Sequence, residues 1–135
     1  MRYRGVLSYV GTGFHGWQRQ SNAPRTVQAV LEEALGKLAG VAVRAVAAGR
    51  TDAGVHADRQ VVHFDLSGER EGFRLCDAVN AHLPGDVRLL EAMPASDDFN
   101  ARRDAIWKEY LYRWSRAAVI PRALRPPMPF PRLMN

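Results

Sequence analysis

What most limits the fold is the order in which two periodicities alternate along the chain. Residues 2–10 (RYRGVLSYV) are rich in aromatic and branched side chains and read as a strand. After a glycine-rich and polar loop over 11–25, Thr26 offers an N-cap hydroxyl. Val27, Val30, Leu31, Ala34, Leu35 and Leu38 then recur at helical spacing, and Gly40 ends the run. Residues 41–48 (VAVRAVAA) read as a second strand. In 59–66 (RQVVHFDL), Val62, Phe64 and Leu66 share one face while Arg59, His63 and Asp65 share the other. A weaker helical pattern over 71–83 carries Leu75, Cys76, Val79 and Leu83 and stops at Pro84-Gly85. Residues 87–93 (VRLLEAM) are a fourth strand. The order β-α-β-β-α-β predicts an α+β domain of the ferredoxin-like kind over residues 1–95, an antiparallel sheet with helices on one face.

The remaining residues, 96–135, read as a crossover, one strand and a tail belonging to an incomplete second domain. Residues 106–115 (IWKEYLYRWS) carry aromatics at every second or third place, and the prolines at 126, 127, 129 and 131 then break any period. The chain reads as one cut off partway: a fragment, a disrupted frame or a half-protein. With 135 residues it supports one domain with a core. No run approaches ~18 consecutive apolar residues, so no membrane span is expected, and the N-terminus lacks a signal-peptide pattern. The single cysteine, Cys76, allows no internal disulfide and has no clustered zinc-ligand partners. It reads as core in a cytoplasmic protein.

Charge is unevenly placed. All 14 acidic residues lie between Glu32 and Glu109, while Arg2, Arg4, Arg19 and Arg25 precede them and Arg113, Arg116, Arg122, Arg125 and Arg132 follow. Two cationic ends that meet in the fold would make a phosphate-binding stripe; a solvated basic surface would have the same composition.

Two loops carry possible chemistry. GTGFHG (11–16) has the form G-x-G-x-x-G after a strand, yet no helix opens directly behind it, as a dinucleotide site requires. Phe14, His15 and Trp17, interleaved with Arg19 and Arg25, suit stacked bases and phosphates; equally, Phe14 and Trp17 could close the edge of a core. In GRTDAGVHA (49–57), Asp52 sits where small neighbours leave room for a substrate, and Arg50 can pair with it. An accessible carboxylate there is a nucleophile or base, or else a turn residue capping backbone N–H groups. His15, His56, His63 and His82 show no metal spacing and read as structural or solvent-facing.

YVGTGFHGWQ, TVQAVLEEAL, AGRTDAGVHADRQVVHF, FNAR and KEYLY, in that order over residues 9–112, resemble the successive signatures of the tRNA pseudouridine synthase A family. The resemblance implies that Asp52 is the aspartate on which uridine isomerisation depends, that Arg50 pairs with it, and that Tyr110 lies over the target uracil. Arg102, in FNAR, matches an arginine used near the RNA. It also implies two ferredoxin-like halves forming one broad sheet, a homodimer, and action on the 3′ side of the tRNA anticodon stem-loop without cofactor or metal. Proteins resembling this one continue for roughly as much chain again, about one more domain. The rival readings are a non-catalytic RNA-binding module, for which no RNP1-like string is present, and an inactive remnant.

Overall fold

Tyr3, Leu7 and Tyr9 are all fully buried along β1 (Arg2–Tyr9), and Tyr3 stacks on Phe64 of the neighbouring strand. The computed structural model describes residues 1–22 and 25–105. Within them, β1 lies inside a four-stranded sheet with β2 (Ala45–Ala47), β3 (Ala57–Asp65) and β4 (Val87–Ala95), ordered β2-β3-β1-β4. Every neighbouring pair is antiparallel. Two helices, α1 (Val27–Ala39) and α2 (Gly72–Asn80), complete the α+β order that the periodicities predict. Tyr3, Leu7, Val62, Phe64 and Leu89 from the sheet share one core with Leu31 and Leu35 of α1 and Leu75 and Val79 of α2. Each fully buried leucine contributes about 1.5–3 kcal/mol.

Local chemistry sets the helix ends. Thr26 Oγ1 accepts from Ala29 N at 3.3 Å, and Gly40 takes the left-handed φ of 76° that lets its N–H return to Gly36 O. Helix α2 is shorter than its pattern: past Asn80 the backbone passes into turns, with His82 N donating to Val79 O and Leu83 N to Asn80 O, and the Asn80 side chain turns to β4. There it exchanges two bonds with the Leu89 backbone, at 2.9 and 2.7 Å, beside the irregularity in the β1–β4 register. The second strand covers only Ala45–Ala47 of the expected 41–48. At its start, Ala45 bonds to side chains of α1: its N–H donates to Glu32 and its carbonyl accepts from Gln28. Val41 and Arg44 are exposed.

Cys76 is buried, and burial pushes its thiol pKa up, so it behaves as core. The alternation in β3 holds for Val62, Phe64 and Leu66 on the core side. On the other side His63 is buried too, beneath a turn formed by Phe99–Asp104. Among the described residues no helix is long and apolar enough to cross a membrane.

Candidate active site

The loop from β2 to β3 is held at both ends by the loop that follows β1. Upstream of Asp52, the Thr51 carbonyl accepts from Trp17 N at 3.0 Å and its hydroxyl meets the Tyr9 hydroxyl at 2.7 Å. Downstream, Gly54 N donates to Phe14 O at 3.2 Å and His56 Nδ1 accepts from Gly11 N at 2.9 Å. Further back, the Gln60 amide bonds both Gly49 backbone groups. Asp52 therefore stands between two fixed points while being itself exposed.

The turn at Asp52 closes through the backbone: Val55 N donates to Asp52 O at 3.1 Å, with Gly54 at φ 81°. No group among the described residues bonds the Asp52 carboxylate. The aspartate side chain is not capping its own turn, so the carboxylate remains available to a substrate. A fixed backbone carrying an accessible carboxylate is what nucleophilic or general-base chemistry needs.

Gly11 and Gly16 of G-x-G-x-x-G serve this contact. A Cβ on Gly16, at φ 84°, would lie 2.7 Å from Thr51 O, so only glycine lets the two backbones approach this closely. Phe14 and Trp17 point inward, 4% and 1% exposed, which corrects their reading as a base-stacking surface: they root the clamping loop in the core. The Arg25 guanidinium packs 4.1 Å from the centre of the Phe14 ring and makes a two-pronged pair with Asp86, at 2.9 and 3.0 Å.

The cationic N-terminal end is likewise mostly occupied. Arg2 grips both Asp65 oxygens and donates to Phe99 O, and Arg19 pairs with Glu32 at 3.2 Å. With Arg25 also paired, Arg4 is the member of that group with no ion pair among the described residues. The C-terminal arginines lie outside the described residues.

Of the residues singled out in the sequence, Asp52 and Arg50 share the clamped loop. Arg50 is exposed and forms no salt bridge with Asp52. Arg102 sits elsewhere. Its turn rests on the sheet face away from the helices, beside His63, six residues or ~20 Å along β3 from Ala57, where the Asp52 loop enters the sheet. Tyr110 lies outside the described residues. Sequence reasoning passed over Tyr9, Gly11, Gly16 and His56 as supports of Asp52. The signal was the pair of glycines in a loop that opens no helix.

The sequence profile of the family described as tRNA pseudouridine synthase matches residues 6–104. Among curated proteins, tRNA pseudouridine synthase A of Nitratidesulfovibrio vulgaris is 50% identical over 125 residues, covering 89% of this chain and 42% of that protein. The proteins of the same name from a Methylobacterium species and from Neisseria meningitidis serogroup B are 51% and 47% identical, over 83% and 87% of this chain and 45% and 44% of theirs. The chain thus spans less than half the length of these curated relatives.

Proposed function

The chain belongs to the tRNA pseudouridine synthase family, and from that premise we propose that it carries the aspartate-bearing part of an enzyme that isomerises uridine to pseudouridine in tRNA. The observation that carries this reading is the accessible Asp52 carboxylate, free of its own turn, on a loop clamped at Thr51 and at Gly54–His56.

The isomerisation breaks the C1′–N1 glycosidic bond, forms a C1′–C5 bond, and moves the C5 proton away while N1 gains one. Asp52 would serve by adding to C6 of the ring, by trapping C1′, or by assisting departure of the base as an anion. In each route the carboxylate must be held still while the base rotates, and the backbone bonds on either side of Asp52 do that. In this reading Tyr110 stacks on the uracil and takes up the C5 proton. Arg50, exposed two residues away, meets the RNA backbone or the aspartate when substrate is bound, and Arg102 contacts RNA beyond the reacting nucleotide. Because Asp52 is open to solvent among the described residues, water exclusion falls to further protein and to the tRNA itself. The target uridine must leave its stack, at a few kcal/mol.

In this reading the substrate site is the 3′ side of the anticodon stem-loop, the assembly is a homodimer in the cytoplasm, and residues 96–135 begin a second domain. Tritium release from tRNA carrying 5-tritiated uridine tests the chemistry. It is measured on this chain and on the same segment grafted into the N. vulgaris relative. Release that Asp52→Asn abolishes, with tRNA binding retained, is the expected result; turnover by Asp52→Asn at the parent rate removes Asp52 from the reaction.

A further inference from the structure

The Phe99–Asp104 turn is internally tied and externally loose. Asn100 Oδ1 accepts from Arg102 N and Arg103 N at 3.0 and 2.9 Å, and Asn100 N donates to Asp104 Oδ2 at 2.8 Å, so the turn holds its own shape. Two hydrogen bonds fasten it to the sheet. Arg2 Nη1 donates to Phe99 O at 2.6 Å, and Ala101 N donates to His63 Nδ1 at 2.9 Å. The second bond is buried: His63 is 5% exposed and Ala101 2%. The Phe99 ring closes over it, edge-on to the imidazole at 6.1 Å. Since Nδ1 accepts, the neutral ring carries its proton on Nε2. A second proton on Nδ1 would face the Ala101 N–H donor to donor, in a position shut off from solvent.

We propose that His63 is a positioning residue for RNA binding: its neutral imidazole seats the turn bearing Arg102 on the sheet, and protonating His63 unseats that turn and weakens the hold on tRNA. The Arg102 guanidinium has no partner among the described residues, so its direction is set by the turn alone. The assignment rests on the reading above that Arg102 meets RNA. Around His63 stand Arg4, directly opposite it on β1, and Arg2 of the same strand, uncharged Val46 from β2, Asp65 two residues along β3, and Arg102, Arg103 and Asp104 from the turn. Burial and the charge of Arg2 lower the His63 pKa, outweighing Asp65 and Asp104, and so keep the seat occupied at neutral pH.

The sign of the effect makes it testable. Loss of the seat weakens RNA binding as pH falls, the reverse of what added positive charge on a protein does to its hold on RNA. The experiment compares the parent chain with His63→Asn, whose Oδ1 stands where Nδ1 does but does not titrate, and with Arg102→Gln. Amide exchange at Ala101 and tRNA affinity are followed between about pH 7.5 and 4.5, a range carried below the ordinary histidine region because burial moves the His63 pKa down. In the parent, Ala101 protection should fall on acidification and affinity should drop roughly tenfold, the worth of one charged hydrogen bond. His63→Asn should keep both, and Arg102→Gln should start weak and lose nothing further. Ala101 protection indifferent to pH, or the same pH dependence of affinity in parent and His63→Asn, would overturn the proposal. So would a pH-linked loss that persists in Arg102→Gln. Neither readout needs turnover, so an absence of pseudouridine bears on the enzymatic reading and leaves this one standing.

Discussion

Gly11 approaches Val55 so closely that a Cβ on Gly11 would lie 1.9 Å from the Val55 carbonyl oxygen. The obstacle is backbone rather than a flexible side chain end, so the two loops must separate to admit a methyl group. Gly11→Ala should therefore cost about 2–3 kcal/mol, the upper range of overpacking, and displace Asp52 with its loop. Urea unfolding checks the first part and tritium release in the grafted relative the second. A Gly11→Ala protein with parental stability and rate would show that the clamp is not needed.

Asp52 itself should be replaceable without structural cost. Its carboxylate bonds to nothing among the described residues, so Asp52→Asn and Asp52→Ala should stay within about 0.5 kcal/mol of the parent in urea. A larger loss of stability would return Asp52 to the role of turn cap.

Salt dependence should separate the occupied arginines from the free ones. Arg19 and Arg25 already neutralise Glu32 and Asp86, so Arg19→Gln and Arg25→Gln should leave the log–log salt slope of tRNA binding unchanged. Arg50→Gln should reduce its magnitude by about 0.7–0.9, one phosphate contact. Equal slope changes for Arg25 and Arg50, measured by filter binding, would mean that the pair with Asp86 opens for RNA.

Acid should destabilise the fold in two stages. His63 has a folded pKa below its ordinary 6.5, so its contribution is present above pH 6.5 and is lost as pH falls through the lower folded value. Asp65, lowered from 3.8 chiefly by the hydrogen bond from Arg2, contributes above pH 3.8 and is lost below it. Thermal melts across pH should show both declines in the parent and only the lower one in His63→Asn. An upper decline of equal size in that variant would assign it to another group.

Tyr110 has a graded test. Stacking on a base is worth about 1–3 kcal/mol, so Tyr110→Leu should slow the proposed reaction about 5- to 150-fold, while Tyr110→Phe keeps the stack and isolates the hydroxyl. A Leu variant with the parental rate would make Tyr110 an ordinary apolar residue.

Much of this architecture is written locally. Helix α1 could be read to its ends because Thr26, the apolar spacing and Gly40 each act within one turn of the residues they govern. Strand β3 follows from alternation and β1 from its aromatic and branched side chains, and Asp52 stands out through its small neighbours. The ends of β2 and α2 were not legible. They fall where Glu32, Gln28 and Asn80 side chains reach backbone groups of other elements.

By itself, then, the sequence determined the element order, the α+β class, the family signatures and the loop that carries Asp52. Only the tertiary structure decided which aromatics and which charges remain for a ligand. Phe14 and Trp17 could have stacked on bases, but they are core. Arg2 and Arg25 could have met phosphates, but they grip Asp65 and Asp86, 63 and 61 residues away. Periodicity records what neighbours a few residues apart have in common. A pair closed across some sixty residues leaves no such mark, because any of several carboxylates would satisfy the same arginine until the fold brings one of them within 3 Å.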